Sequence, residues 1–365
     1  MNDSYEVVVL GGGAAGLNAA LMLARSRRPV LVIDAGSPRN APAQGVHGLL
    51  GREGMSPLEL LEVGRAEVRG YGGHVVSGEV IAVDRVTEST SRARGFDGNS
   101  RVAAGARVNG ADVEVTPSDL RIDGGGGSLD DSGAANSADF RVTLADGRTV
   151  RARRILIATG LADVLPEIPG LRERWGNEVL HCPYCHGWEV RDQRIAVLSS
   201  GPMSVHQALL FTQLSDDIVF LTHTTSLTLE DTEKLAAHGI QIVDGEVVEV
   251  LADDHLTGIR LSDGTIIARD ALVVAPRMNT RATFLTDLGL TPEPHPAGIG
   301  DHIPADPVGR TTTPGVWIAG NATDPTAQVG AAAAAGAMAG AQINAELVMV
   351  DTATAVAERA AGTRV

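Results

Sequence analysis

The two cysteines of the 365-residue chain, Cys182 and Cys185, stand two residues apart in the stretch HCPYCH. Cysteines at this spacing have depressed pKa values and cycle between dithiol and disulfide, which suits them to exchange with other thiols. Two readings compete with a redox disulfide: inert thiols, or a zinc site completed by His181 and His186. Adjacent side chains around one cysteine pair rarely close a tetrahedron, and there is no second pair. The pattern therefore favours redox chemistry over a metal site.

His186 follows the second cysteine directly. An imidazole changes its protonation near neutral pH, so it can accept or donate the proton that thiol chemistry moves. The alternative is a histidine that only packs or caps a turn. We predict His186 to act with Cys182 and Cys185 as the catalytic set.

Three glycines near the N-terminus, Gly11, Gly13 and Gly16, follow the apolar run 7–10 and open a helical pattern. In this context such glycines allow a tight turn, a close approach to a pyrophosphate and close helix–strand packing. The helix N-terminus then offers N–H groups to the phosphates. Asp34 ends the next predicted strand, where an acid accepts hydrogen bonds from ribose hydroxyls. Together these features predict dinucleotide binding.

A βαβ pattern near the N-terminus and an internal sequence repeat predict the elements that position these residues. A strand at 7–10, a helix through Arg25 and a strand at 30–33 form a βαβ unit, which indicates an α/β fold. Residues 144–158 and 261–275 then repeat one order: a strand, an Asp-Gly turn, a second strand and a very apolar third strand. Asp-Gly is a strong hairpin signal.

Between the two repeats lies another strand–glycine–helix unit, with a strand at 195–198 and a helix through Leu214. The pattern predicts two related Rossmann-like domains, the second inserted into the first. We expect the first domain at 1–160 and 279–365. The second, at 161–278, carries the cysteine pair.

Residues 87–138 differ from the rest of the chain, being rich in Gly, Ser and Asp and poor in large apolar side chains. Such a segment buries too little surface to offset the entropy of ordering its backbone. We predict a flexible insertion in a surface hairpin; a regulatory arm is the alternative.

Composition excludes several classes of protein. A net charge of −15 argues against a general nucleic-acid binder and a basic membrane-surface protein. The only lysine is Lys234, so a Gly-Lys-Ser/Thr phosphate loop is impossible. The apolar stretches 7–24 and 325–345 are rich in Gly and Ala, which favours buried helices over a signal peptide or a spanning helix. We expect a soluble, cytoplasmic protein.

These motifs resemble those of the low-molecular-weight thioredoxin reductases. The likeness rests on VVVLGGGAAG at 7–16, ATG at 158–160, CPYC at 182–185 and GVWIAGN at 315–321, and it covers nearly the whole chain apart from the insertion. The resemblance implies a homodimer whose first domain binds FAD. It also implies that Cys185 faces the flavin while Cys182 exchanges with the substrate.

The resemblance further implies a set of FAD-binding residues. One departure is Asn321, which replaces the family's usual aspartate and lacks its charge. The expected cofactor-binding residues are Gly11, Gly13, Ala14, Ala15, Gly16, Asp34, Ala35, Gly36, Arg39, Asn40, His47, Val80, Ala158, Thr159, Gly160, Gly320, Asn321, Gln328 and Val329.

The second nucleotide site departs from the family pattern. The turn at 199–204 keeps one glycine, Gly201, where the family has two or three. The turn at 222–226 contains no arginine, so the 2′-phosphate of NADPH would lose its charge-assisted partners. Both changes weigh against NAD(P)H as a cofactor.

The stretch CPYCHGWE at 182–189 resembles a subgroup that includes the gliotoxin- and holomycin-type dithiol oxidases. The resemblance implies oxidation of a small dithiol to a disulfide, with electrons passing through FAD to oxygen. One alternative is NAD(P)H-dependent reduction of a thioredoxin-like protein. Another is a flavin-binding redox sensor, which the long insertion favours.

Overall fold

The computed structural model describes residues 1–86, 139–281 and 283–362, and the elements below lie within these ranges. The helices are α1 (Ala14–Arg25), α2 (Pro57–Gly70), α3 (Pro183–His186), α4 (Ser204–Phe211), α5 (Leu229–Ala237) and α6 (Val329–Gly362). The strands are β1 (Ser4–Leu10), β2 (Val30–Asp34), β3 (His74–Ser77), β4 (Val80–Val86), β5 (Asp139–Leu144), β6 (Thr149–Ile157), β7 (Leu161–Val164), β8 (Val179–Leu180), β9 (Ile195–Leu198), β10 (Ile218–Leu221), β11 (Gln241–Val243), β12 (Val247–Ala252), β13 (Leu256–Leu261), β14 (Ile266–Ile267), β15 (Ala271–Val274), β16 (Arg277–Thr280), β17 (Glu293–Pro294), β18 (Asp301–His302) and β19 (Val316–Ile318).

The first sheet has the order β3-β2-β1-β6-β5-β4, and β19 also pairs with β6. Its centre is β1, which runs parallel to β2 on one side and to β6 on the other. Val7, Val8 and Val9 of β1 are fully buried because helices or loops cover both faces of the sheet. The predicted βαβ unit is confirmed with its expected bounds, apart from small extensions of both strands.

A second sheet has the order β11-β10-β9-β15-β8, and all of its neighbouring strands are parallel. A parallel second sheet and a mixed first sheet, in which only the β6-β5-β4 part is antiparallel, confirm the α/β fold class together with the helices. The second sheet is drawn from residues between 179 and 274, and the first sheet from chain on either side of that range. The antiparallel pair β7–β16 lies where the chain leaves the first sheet and returns to it. The exact domain boundaries remain a prediction.

The two sequence repeats differ in structure. In the second copy, a turn at Gly264 separates β13 from the short β14, and the apolar β15 follows in another sheet. In the first copy, the predicted separate second and third strands are wrong: β6 is continuous through both. The reason is pairing, since β1 accompanies β6 from Arg151 to Ile157 and leaves no break in the ladder. Both turn glycines, Gly147 and Gly264, have φ values near +90°.

The C-terminal helix α6 is longer than the predicted helix at 325–345 and buries only one face. Gly336 and Gly340 pack against the backbone of α1, where a Cβ on either glycine would overlap with Ala15 or Ala19. By length and composition α6 is apolar enough to cross a membrane, a test that core helices of soluble proteins also pass. Its opposite face exposes apolar side chains, among them Met338 and Met349.

The predicted insertion at 87–138 lies outside the described residues, but its two flanking strands are described. β4 and β5 are antiparallel neighbours, and Val86 at the end of one pairs with Asp139 at the start of the other. A short turn is therefore sufficient to join the strands.

Deleting Arg92–Ser137 should leave the FAD content and the melting temperature close to those of the parent protein. The strand ends already meet, and loop-closure entropy changes only slowly with loop length. Flavin absorbance and thermal unfolding of the two purified proteins check this expectation. Loss of flavin or of soluble protein on deletion would show that the segment contributes to the core.

Candidate active site

A cavity of about 1100 Å³ connects the glycine-rich turn after β1 with the cysteine pair. The structure thus brings together two motifs that are more than 160 residues apart in the chain. Gly16 and Gly36 are the two predicted residues that do not line this cavity. The predicted residues that line it are Gly11, Gly13, Ala14, Ala15, Asp34, Ala35, Arg39, Asn40, His47, Val80, Ala158, Thr159, Gly160, Cys182, Cys185, His186, Gly320, Asn321, Gln328 and Val329.

Each glycine of the first motif serves a different purpose. Gly11 has a φ of +110°, which only glycine adopts readily, and its N–H donates to Ile33 at 2.8 Å. A Cβ on Gly16 would overlap with the Gly11 carbonyl, so this glycine allows close helix–strand packing. Gly13 is the N-cap of α1 and has no side-chain cap, and a Cβ there would meet no atom within 4 Å. The start of α1 therefore opens directly into the cavity.

Asp34 ends β2 beside this turn and is held in place by two donors. Its Oδ1 accepts the Gly36 N–H at 3.2 Å, and its Oδ2 accepts Nη2 of Arg65 at 2.7 Å. Arg65 lies on α2 and was not predicted, because nothing in the local sequence links it to Asp34. An ionised carboxylate offers about four lone-pair sites, so it can still accept ribose hydroxyls.

The cavity wall supplies further polar groups that fit a flavin dinucleotide. Thr159 follows β6, and its buried hydroxyl oxygen has no hydrogen-bond partner within the described part of the chain. Asn321 directs its Nδ2 at three backbone carbonyls ahead of α6, the shortest contact being 2.8 Å to Ala327. With the amide nitrogen engaged, its oxygen is the atom that faces other partners. A buried, unpaired hydroxyl at a cavity fits a bound polar ligand.

Two predicted cofactor residues bridge different parts of the chain. Arg39 pairs with Asp163 of β7 through two hydrogen bonds, at 2.7 and 2.8 Å. His47 lies between two carboxylates, with Nδ1 2.5 Å from Glu53 and Nε2 3.4 Å from Glu189. Asp163 and Glu189 were missed by sequence analysis, since an isolated acid in a strand or loop carries no local signal. Both contacts join the loop after β2 to segments close to the cysteines.

Cys182 and Cys185 form a disulfide, with their Cα atoms 5.2 Å apart. Cys182 is the N-cap of the short helix α3, and Pro183 occupies the first helical position, where its missing N–H costs nothing. The Cys182 carbonyl accepts the His186 N–H at 3.1 Å, which fixes the turn that holds both sulfur atoms. Both cysteines line the cavity, as the redox interpretation requires.

His186 is half-buried in the same cavity wall. Burial lowers the pKa of its imidazole, the nearby Glu189 carboxylate opposes that change, and His47 reinforces it. A lowered pKa keeps the ring neutral at neutral pH. A neutral imidazole has a lone pair that can accept a proton, and the catalytic role of His186 stays a prediction.

The turn after β9, where a second dinucleotide would bind, is closed by its own side chains. Ser204 Oγ, at the start of α4, accepts the N–H groups of Ser200 and Gly201, both at 3.1 Å. Ser200 Oγ in turn bonds to the Ala275 backbone, accepting its N–H at 2.9 Å and donating to its carbonyl at 3.1 Å. Two N–H groups of this turn, those of Ser200 and Gly201, are thus bonded within the protein and would have to be released to face a pyrophosphate.

The turn after β10 is also held by internal contacts. His223 has a φ of +53°, and its Nδ1 accepts the Val247 N–H at 3.0 Å. The Thr225 hydroxyl lies 2.6 Å from that of Ser199, which joins the two turns. These contacts use the side chains of the turn for structure, and none supplies a positive charge for a 2′-phosphate.

Comparisons with known proteins agree with this site. Residues 5–341 match the family model described as pyridine nucleotide-disulphide oxidoreductase. The chain is 28% identical to the thioredoxin reductase sirT of Leptosphaeria maculans over 96% of each chain. It is 26% identical to the thioredoxin reductase tcpT of Claviceps purpurea, over 88% of this chain and 87% of that one.

Among solved structures, the crystal structure of HlmI superposes with a TM-score of 0.82 and 39% identity, covering all of this chain and 98% of that one. An oxidoreductase from Agrobacterium tumefaciens gives a TM-score of 0.75 and 30% identity, over 95% of this chain and 99% of that one. The chain therefore belongs to the pyridine nucleotide-disulphide oxidoreductase family, as a thioredoxin reductase-like, FAD-dependent disulfide oxidoreductase.

Proposed function

We propose that this enzyme oxidises a small dithiol to a disulfide and that oxygen is the final electron acceptor. The observation that carries the proposal is the closed turn after β9. Helix N-termini bind phosphates through free N–H groups, but here Ser204 already accepts the N–H groups of Ser200 and Gly201. A pyrophosphate would have to displace this serine without any guanidinium to compensate.

The open cavity, in contrast, reaches the disulfide from the first dinucleotide site. A thiolate of the substrate attacks Sγ of Cys182, the Cys182–Cys185 bond breaks, and Cys185 leaves as a thiolate. The second substrate thiolate attacks the substrate sulfur of the mixed disulfide, which forms the product and releases Cys182. The two substrate thiols thereby give up two electrons and two protons, and we assign the uptake of one proton to His186, which lines the same cavity.

A bound FAD would supply the two-electron redox chemistry that connects the reduced cysteines to oxygen, with hydrogen peroxide as the product of oxygen. Gly11, Gly13 and the start of α1 would hold its pyrophosphate, and Asp34 its ribose hydroxyls. Cys182 and Cys185 line the same cavity.

Under anaerobic conditions, a small dithiol such as dithiothreitol should bleach the flavin rapidly, and air should restore its absorbance with peroxide formed. NADPH and NADH should bleach it slowly or not at all, with little difference between them, because Ser204 already holds the N–H groups of Ser200 and Gly201 and the turn at 222–226 contains no arginine. Stopped-flow absorbance with each reductant in turn makes the comparison.

A protein with both Cys182 and Cys185 changed to serine provides the matched control. Dithionite reduces flavin directly and should bleach both proteins, whereas the dithiol should bleach only the parent. Fast, saturable bleaching of the parent by micromolar NADPH would overturn the proposal and indicate an ordinary reductase.

The second candidate function is NAD(P)H-dependent reduction of a thioredoxin-like protein. The names of the relatives favour it, since sirT and tcpT are both called thioredoxin reductases. In this chain, however, the turns after β9 and β10 are filled by their own contacts. The oxidase direction is therefore preferred.

We also infer that the enzyme is a cytoplasmic homodimer. Exposed apolar side chains continue along the outer face of α6, at Met338, Val348, Met349 and Val356. Exposed apolar side chains on one face of a helix are a common feature of interaction sites. A second copy of the chain is the occupant that the family resemblance implies.

A further inference from the structure

A buried glutamine on α4 contacts the residue that precedes the disulfide. Gln207 is 5% exposed, and its Nε2 lies 2.9 Å from the His181 carbonyl oxygen and 2.9 Å from His181 Nδ1. His181 is adjacent to Cys182, and both line the cavity. One amide group therefore holds both the backbone and the ring of this histidine.

These contacts determine which ring nitrogen carries the proton. A carbonyl oxygen can only accept, so the Gln207 –NH₂ group must face His181. The same group then donates to Nδ1, which has to accept, and the proton of the neutral ring resides on Nε2. The Val274 carbonyl is a competing acceptor for an Nδ1–H, but it lies farther away, at 3.3 Å.

The surroundings of the ring favour the neutral form. Burial lowers the pKa of His181, the guanidinium of Arg39 lowers it further, and the Asp163 carboxylate acts in the opposite direction. Gln207 Oε1 is buried without a hydrogen-bond partner in the described part of the chain. Leaving a buried amide oxygen without a hydrogen bond costs free energy, and Gln207 nevertheless directs its –NH₂ group at His181. The two hydrogen bonds to His181 offset that cost.

We propose that Gln207 is a positioning residue: it holds His181 as the tautomer with the proton on Nε2, and this N–H group, in the cavity that both cysteines line, is a hydrogen-bond donor for the thiolate formed when the disulfide opens. No proton is transferred in this step, because the S–S bond breaks with its electron pair on Cys185 and the N–H group stabilises the resulting charge. The idea rests on the proposed role of the disulfide in thiol exchange.

The placement also assigns α4 a purpose other than nucleotide binding. Its first residue, Ser204, closes the turn that would otherwise bind a pyrophosphate. One helical turn later, Gln207 reaches the redox site on the other side of β15. The same helix thus blocks one cofactor and organises the residues that serve the disulfide.

Nitrogen-15 spectra of the histidine-labelled, FAD-loaded protein would test the tautomer directly, with the His181 signals assigned by their loss in His181→Asn. In the parent, Nδ1 should be the unprotonated nitrogen. In Gln207→Leu, Nδ1 should become protonated, because it can then donate to Val274. A protonated Nδ1 in the parent would overturn the proposal.

The second measurement is the pH dependence of cysteine alkylation in the anaerobically reduced protein. Gln207→Leu should raise the apparent thiol pKa by about one unit, which is roughly a tenfold smaller thiolate fraction at a fixed pH below it. Gln207→Glu should raise the pKa of His181, because the new carboxylate accepts a hydrogen bond from a protonated Nδ1. His181 would then stay protonated to a higher pH than in the parent. Gln213→Leu, an exposed change just after the same helix, should match the parent.

An unchanged alkylation profile in a folded Gln207→Leu protein would also overturn the proposal. If that variant fails to fold, the parent's spectrum and Gln207→Glu decide the question. Neither measurement involves oxygen or a nicotinamide cofactor. A protein that proved to be an NADPH-dependent reductase could still pass both tests, so the two proposals fail separately.

Discussion

A Gly13→Val protein should fold and purify colourless, whereas the parent should be yellow with stoichiometric FAD. The valine side chain has space in the protein itself, because a Cβ at this position meets no atom within 4 Å. That open space belongs to the cavity at the start of α1, where the pyrophosphate needs to approach the backbone. Binding is therefore lost without a clash in the fold. The ratio of flavin to protein absorbance measures the effect.

The matched control is Gly70→Val at the end of α2, where a Cβ would also meet open space. This variant should keep its flavin, and both variants should melt as cooperatively as the apo parent. A well-folded Gly13→Val protein with a full complement of FAD would contradict the assignment of the first cofactor site.

Replacing either cysteine with serine should abolish turnover, but the two variants should have different spectra. In Cys182→Ser, Cys185 is left as a free thiolate which, by the family resemblance, faces the flavin. A thiolate in that position gives a long-wavelength charge-transfer absorbance. Cys185→Ser should lack this band, because the remaining thiol is that of Cys182, which the family resemblance assigns to the substrate. Visible spectra and dithiol-dependent oxygen consumption distinguish the two.

Both serine variants should still bind FAD, since neither cysteine belongs to the glycine-rich turn, Asp34 or the start of α1, to which FAD binding is assigned. Tyr184→Phe, an exposed change between the two cysteines, serves as the control and should keep activity. The same band in both serine variants, or full activity in either, would show that the roles of Cys182 and Cys185 are assigned wrongly.

Short stretches of the sequence determine the secondary structure around the glycine-rich turn and the spacing of the two cysteines. The apolar run at 7–10, the glycines after it and Asp34 lie in one βαβ unit, and each of those elements depends mainly on local residue spacing. The strand at 195–198 is likewise present at the predicted bounds. The Cys-x-x-Cys spacing places two thiols within bonding distance in a single helical turn, so the disulfide could be inferred without a fold.

The tertiary structure alone decided which residues surround these motifs. The contacts Arg39–Asp163 and Gln207–His181 join different elements, and no local pattern marks them. Packing also determined that β6 continues through both predicted strands and that α6 buries only one face. Such outcomes depend on which surfaces meet after folding, because a side chain's partner is set by proximity in space. The sequence by itself therefore identified the reactive groups, and only the fold showed what holds and orients them.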